Sequence, residues 1–450
     1  MKNYYLLLGM LAALWSAPAY AQDEGESKFE VKAQIRPRAE FRNGSHGLKP
    51  EGADPAFFIN NRARLSAYYT DASGKLKVGM SGQNVSVWGA TPQTEMEGSF
   101  MLNEAWAEYA VSNAVAFKVG RQQAAYDDDR ILGTLDWHVA GRWHDMFLTK
   151  VELNNFQAHL GLAYSQNGEN KFDNLYTPNG QPYKSMQYLW TSYQFSEQLS
   201  ATALFMNLGF QKMDADGPVS GLNNLQTVGT NWTYKNNGWM VYATYYHQFG
   251  NNNGVENVNA NLAAVKVAYN AQGSAWTFTG GLDYVSGNDG EVVDVLDGNG
   301  DPTGQQKVAP VEGNKSFDPL FGTHHKFYGF MDYFYVGNHG GSVGLFDKNI
   351  GTTYKVNPKL AITGTLHHFN SAASIKNEQG GSESTYLGTE LDLSFAYKVA
   401  KDVTLVGGFS QMFAGEQMEL LYPTGNSSNG QNWAWLSVNI NPTIFATTFK

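Results

Sequence analysis

The chain has 450 residues, 48 of them glycine, with 14% aromatic residues, no cysteine and a formal net charge of -10. Without cysteine there can be no disulfide framework, thiol nucleophile or thiolate metal site. Mean hydropathy is negative, and beyond the first residues no stretch approaches the ~18 apolar residues of a spanning helix, so strands would have to make any membrane crossing.

Met1-Lys2-Asn3 precedes an apolar run from Tyr4 to Trp15 and then Ala19-Tyr20-Ala21, which reads as a secretory signal peptide over 1–21 with the mature chain starting near Gln22. Its removal takes away one charged residue, Lys2, and the charge moves from -10 to -11. Residues 22–450 form one domain in this reading. From Lys28 to Asn441 the chain repeats runs of about ten alternating apolar and polar residues.

Tight, turn-rich connections are expected at 71–74, 112–114, 152–155, 196–198, 235–238, 271–273, 356–359 and 399–402. Long polar connections are expected near 43–56, 89–101, 124–142, 166–185, 211–223, 250–259, 286–342, 370–383 and 414–430. Strict alternation of tight and long predicts an all-β fold: a transmembrane antiparallel β-barrel of about 18 strands, with short periplasmic turns and long extracellular loops. The location is then the cell outer membrane. The few residues between Gln22 and Lys28 leave no space for a plug of the kind active transporters carry.

The first run sets Phe29, Val31, Ala33, Ile35 and Phe41 on one face and Lys28, Glu30, Lys32, Arg36, Arg38 and Glu40 on the other. In a barrel the first face meets lipid and the second the lumen. Arg62 and Arg64 share a polar face in the same way, and so do Glu390 and Asp392 opposite Leu391 and Leu393. The runs 156–165 and 275–284 repeat the pattern, whereas 238–249 carries aromatics on both faces.

The densest polar chemistry lies between Leu102 and Asp145: Glu104-Ala105-Trp106-Ala107-Glu108, Gly120-Arg121-Gln122, Asp128-Asp129-Arg130-Ile131-Leu132-Gly133, Asp136-Trp137 and Arg142-Trp143-His144-Asp145. With Phe317-Asp318-Pro319 and His324 through Asp332, this ordered set resembles the alginate export family of outer-membrane barrels. The resemblance implies an eighteen-stranded channel through which an anionic polysaccharide leaves the cell past a lumen bearing Arg and Lys. Arginine suits that task, because its planar fork stays charged and pairs a carboxylate through two bonds.

Candidates for the substrate path are Arg36, Arg38, Arg62, Arg64, Arg121, Arg130 and Arg142, with Glu104, Glu108, Glu390 and Asp392 as acidic lumen positions. Arg121 shares parity with Phe117 and Val119, which aims it at lipid unless a bulge intervenes or it lies at the strand end. The same residues could instead pair among themselves and brace a wide wall. Alternation places the cluster from Arg121 to Asp145 at the outer rim, and the length of 286–342 suggests a gate. Partners are an anionic polysaccharide or, in the alternative of a general diffusion porin, small solutes. Outer-membrane lipid and periplasmic secretion components complete the set, with no nucleic acid.

Other signals carry less. Asp297-Gly298-Asn299-Gly300-Asp301 resembles the start of a calcium loop, but Pro302 replaces the turn glycine and Val308 stands where a glutamate is needed. A solvated acidic turn is the expectation, with no cofactor. His324-His325 and His367-His368 are adjacent pairs, which on a strand point to opposite faces. Gly340-Gly341-Ser342-Val343-Gly344 matches a hydrolase elbow without the helix that motif requires, so an enzyme is not expected.

Overall fold

The computed structural model describes residues 25–94, 100–252, 254–334 and 343–450. The expected signal peptide over 1–21 and residues 340–342 of the G-x-S-x-G match lie outside the described residues.

In chain order the strands are β1 Ser27–Asn43, β2 Ala56–Thr70, β3 Leu76–Val87, β4 Met101–Ala110, β5 Val115–Gln122, β6 His144–Leu153 and β7 Phe156–Tyr164. There follow β8 Ser185–Gln194, β9 Leu199–Asp214, β10 Gly217–Asn236, β11 Trp239–Asn252, β12 Val255–Tyr269 and β13 Trp276–Val285. A small outer hairpin, β14 Gly290–Leu296 and β15 Pro302–Pro310, precedes β16 Leu345–Asn357 and β17 Leu360–Asn370. Last come β18 Ile375–Lys376, β19 Tyr386–Ala400, β20 Val403–Ala414, β21 Gln431–Ile440 and β22 Thr443–Phe449. Each barrel strand pairs antiparallel with its neighbours. Both β21 and β22 return to β1, so these two share one position and an 18-strand ring closes without an edge.

Alternation sets the two surfaces. On β1, Ile35 is 49% exposed on the outer wall while the adjacent lumen-side Arg38 and Glu40 are buried. The same pattern holds on β7, where Leu160, Leu162 and Tyr164 face out and His159 faces in toward Tyr126. On β19 the pattern breaks at a bulge: Asn370 pairs with Tyr386 and Phe369 with Gly388, skipping Leu387. Leu387 therefore turns inward and is fully buried, out of step with Leu391 and Leu393, which keep the outward face.

All eight expected tight turns connect consecutive strands. Two of the expected long loops do not exist as loops. β9 ends at Asp214 and β10 begins at Gly217, while β11 ends at Asn252 and β12 begins at Val255, so the polar stretches 211–223 and 250–259 are mostly strand. Their Asn and Gly residues lie at the outer ends of tall hairpins, where polar residues occupy both faces of the strands.

The largest departure concerns the third outer connection, residues 123–143 (loop 3), which does not stay at the rim. Asp127 accepts hydrogen bonds from Trp190 Nε1 on β8 at 3.2 Å and Thr202 Oγ1 on β9 at 2.7 Å, and Tyr246 on β11 approaches it at 3.4 Å. Asp136 in the same loop binds Arg62 on β2. Strands β2 and β11 are nine positions apart in a ring of eighteen, so the loop crosses the lumen from wall to wall. Thr202 is the fourth residue of β9 from its periplasmic end and Arg62 the seventh of fifteen on β2, so the crossing lies at mid-barrel depth. This also explains the aromatic inner face of β11, because Tyr246 reaches the loop.

In the seventh connection, between β13 and β16 (loop 7), residues 317–334 fold inward to meet loop 3. Leu132 and Phe321 form a parallel bridge, with Phe321 N donating to Ile131 O at 3.0 Å and Gly133 N to Phe321 O at 2.9 Å. Ile131, Leu132, Phe317, Phe321 and Met331 join wall residues such as Met186 and Leu208 in an apolar core inside the barrel. A barrel this wide cannot fill itself with wall side chains, and the two loops supply the missing volume.

Candidate functional site

The sequence of loop 3 accounts for how it holds its shape. Asp127 and Asp129 adopt left-handed backbone with φ of 58° and 68°, a region that Asp tolerates better than most residues. Arg130 Nε donates to Asp128 Oδ2 at 2.7 Å, and the guanidinium also pairs with Asp283 on β13 and lies 4.1 Å from the Phe327 ring centroid. Burial disfavours the charge on Arg130, yet Asp283 and Asp128 hold its pKa well above the ordinary value. At Gly133 a Cβ would sit 2.4 Å from Thr323 Oγ1, so the close approach of loop 7 requires glycine. The D-x-R-x-x-G pattern is thus the latch that joins the two loops.

Beyond the latch, loop 3 lies along β1 to β3. Arg36 Nη1 donates to the Asp136 carbonyl at 2.7 Å and its Nη2 to the His138 carbonyl at 3.2 Å. Arg62 Nη2 donates to Asp136 Oδ1 at 2.8 Å, and Arg36 reaches Oδ2 of the same carboxylate at 3.2 Å. Arg38 splits its fork between Glu40 Oε1 and the Trp137 carbonyl, both at 2.8 Å, with its guanidinium 4.0 Å from the Trp137 ring. Arg64 donates to Gln83 Oε1 at 2.6 Å and to Asn103 Oδ1 at 3.2 Å. Four guanidinium groups on one strip of wall are therefore met by two carboxylates, Asp136 and Glu40, and otherwise by neutral oxygens. Desolvation and then the nearby Arg38, Arg142, Arg36 and Arg62 hold the His138 imidazole below its usual pKa.

Across the lumen the wall is acidic. Asp283 on β13 faces Asp347 on β16 in register, and His367 Nδ1 on β17 lies 2.8 Å from Asp347 Oδ2. Glu390 and Asp392 on β19 accept backbone bonds from Met331 N at 2.8 Å and Phe330 N at 3.1 Å in loop 7. Loop 7 also places His325 flat on Trp137, with ring centroids 4.0 Å apart, and His325 Nδ1 lies 2.9 Å from Asp332 Oδ2.

The remaining candidates occupy distinct places. Arg142 Nη1 donates to the Gly322 carbonyl at 2.9 Å and so braces the loop junction. Glu108 accepts from Lys150 Nζ at 2.6 Å on the lumen face, and Glu104 lies opposite Ser81 on the same face of β4. Arg121 does not join the lumen set. It follows Phe117 and Val119 onto the outer wall at the end of β5, pairs twice with Asp145 at 3.0 Å and stacks over Trp143 at 3.5 Å. With no bulge to turn it, its side chain keeps the outward parity of the strand.

Asp136, Asp283, Asp347 and Gln83 are members of the two walls that the sequence did not single out. Asp136 was visible as part of a motif but not as the counterion of two arginines. The histidine pairs and the 297–301 turn gather no metal site: among the described residues no group of three His, Cys, Asp or Glu is placed to hold an ion. Asp297 Oδ1 instead accepts from Asn299 N and Asp301 N at 2.8 and 3.0 Å, closing the β14–β15 turn on itself.

Residues 30–420 match the family described as Alginate export. No curated protein matches the chain in sequence. Among solved structures, OccAB4 of Acinetobacter baumannii is similar at 13% identity and a TM-score of 0.57, over 95% of this chain and 100% of that one. OpdO of Pseudomonas aeruginosa is similar at 12% identity and a TM-score of 0.60, over 93% and 98%. OpdK of the same organism, solved with vanillate, gives 12% identity and a TM-score of 0.56 over 93% and 99%. At these identities the likeness is one of fold.

Proposed function

The chain belongs to the alginate export family of outer-membrane channels, and from that premise we propose that it passes an anionic polysaccharide along the strip formed by Arg36, Arg38, Arg62 and Arg64. The observation that carries this reading is the excess of guanidinium groups over carboxylates on that strip at mid-barrel depth. Oxygens of loop 3 and of Gln83 occupy the spare donors. A uronate carboxylate entering the lumen can exchange for those neutral oxygens, gaining a charge-assisted pair. Several moderate sites in a row let a polymer advance, where one tight site would hold it.

A second reading, a channel for small carboxylated solutes, draws support from the meeting of loops 3 and 7 inside the lumen, which narrows the path. Passage of a polymer would require the Ile131–Phe321 junction to yield, with loop 7 as the moving part. OpdK, crystallised with the small carboxylate vanillate, shares the fold.

Planar-bilayer recording separates the two. With polyuronate and monomeric uronate at equal carboxylate concentration, the export reading expects stronger block by the polymer and a reversal potential biased to anions. Equal block by monomer and polymer favours the small-solute channel. Cation preference without any effect of polymer sinks the role given to the arginines.

A further inference from the structure

On the lipid-facing wall, β12, β13, β16 and β17 leave a shallow groove of about 510 Å³ lined by Val265, Val267, Leu282, Ile350 and Leu366. It exists because Gly280, level with Val267 and Ile350 in the ladder, has no side chain. A Cβ at that position would meet nothing nearer than the Asn349 carbonyl oxygen at 3.9 Å, so the notch is empty space. Ile350 is 65% exposed there, so its side chain is available along the edge of the notch.

Two polar residues cap the groove. Lys348 and His368 lie opposite each other in register, next to Leu282, and both project from the outer wall. Lys348 is the fourth residue of β16 from its outer end, just below the level of Tyr284 and Phe346. Aromatic residues of this kind mark the membrane interface, and the stacked Trp276 and Tyr354 mark it at the periplasmic end. Lys348 Nζ donates to Asn370 Oδ1 at 3.0 Å and lies 5.0 Å from the Phe346 ring centroid. Among the described residues no carboxylate pairs with Lys348. An ammonium at this height, turned upward over apolar surface and lacking a counterion, is placed to meet an anion of the outer leaflet.

We propose that this groove is a binding site for one acyl chain of a phosphorylated glycolipid of the outer leaflet, with the phosphate held by Lys348 and His368. The apolar notch takes the chain and the two polar side chains take the headgroup. Shape and charge thus select the same ligand from the same side of the membrane. The site is separate from the lumen and independent of what the channel transports.

The test is native mass spectrometry of the full-length protein in mild detergent, with diphosphorylated lipid A as the probe. Wild type is expected to retain one lipid A, and Lys348→Gln to bind it about tenfold more weakly. Dephosphorylated lipid A should bind wild type as poorly as the intact lipid binds Lys348→Gln. Gly280→Leu, which puts a side chain into the notch from a position whose Cβ has open space, should lose the adduct while keeping heat-modifiable migration as evidence of a folded barrel. Equal retention by wild type and both variants would overturn the proposal. A dimer that lipid A does not displace would do the same, since a second copy of the chain would then cover the wall.

Discussion

The two halves of the lumen wall treat charge in opposite ways. On β1 and β2, arginines project toward loop 3 and are satisfied largely by carbonyl oxygens. On β13 to β19, the carboxylates of Asp347, Glu390 and Asp392 are almost wholly buried beneath loop 7, fixed by its backbone N–H groups and by His367. Burial does not separate the walls, since Arg62 and Arg38 are as buried as the carboxylates; the difference lies in the partners, neutral oxygens on the basic side and backbone N–H groups with a histidine on the acidic side. Many acidic lumen residues are thus compatible with the proposed role of the arginines, because their charge is already met within the wall and loop 7.

Arg130 is where the comparison is easiest to break, because it ties loop 3 to the acidic wall. Arg130→Ala leaves Asp283 and Asp128 buried without their counterion, and loss of one partner of such a pair costs about 3–5 kcal/mol. The expected result is a clear fall in the thermal unfolding midpoint and proteolytic cleavage within 123–143. An unchanged midpoint would mean that the acidic wall is not held by this residue.

Asp136 tests the other wall. Its carboxylate offsets both Arg36 and Arg62, so Asp136→Asn should raise the anion-to-cation permeability ratio several-fold while leaving the barrel folded. A smaller change of opposite sign is expected from Arg62→Gln with Arg64→Gln, read as a reversal-potential shift toward zero in a salt gradient. If the Arg pair had no effect and Asp136→Asn did, selectivity would rest on Arg36 and Arg38 alone.

How much of this was legible in the sequence depends on the range of the interaction. Turns such as 71–74 and the alternation of β1 and β13 are local, and local patterning gave the barrel, its strand number and the inward parity of Arg62 and Arg64. The stretches 211–223 and 250–259 were misread because the outer ends of tall hairpins lose the apolar face that marks a strand. The depth of loop 3 was hidden for a different reason. Asp127 meets Trp190, Thr202 and Tyr246 at separations of 63, 75 and 119 residues, pairings that no strand register encodes. The acidic wall was legible only in part: Glu390 and Asp392 were read as acidic lumen positions, but Asp283 and Asp347 look like ordinary strand residues until the ring brings β13 and β16 side by side with β19.

The smallest expected effect is one of pH, at the junction of loop 3 with the basic wall. His138 Nδ1 accepts a hydrogen bond from Ala140 N at 3.2 Å, which requires that nitrogen to be unprotonated. Burial and the surrounding arginines lower the imidazole pKa in the folded loop, so the folded state binds its proton less readily than the free chain does. Stability linked to this group is thus present at neutral pH and declines as pH falls through the ordinary histidine value of about 6.5. Protonation would add a fifth cation to the strip and break the Ala140 bond, loosening loop 3. Because His138 is exposed toward the lumen, water screens part of this repulsion and the change should be modest. Current noise in single-channel records should increase between pH 7 and pH 5 in wild type and much less in His138→Gln. A variant as noisy as wild type at pH 5 would move the titrating group elsewhere in the lumen.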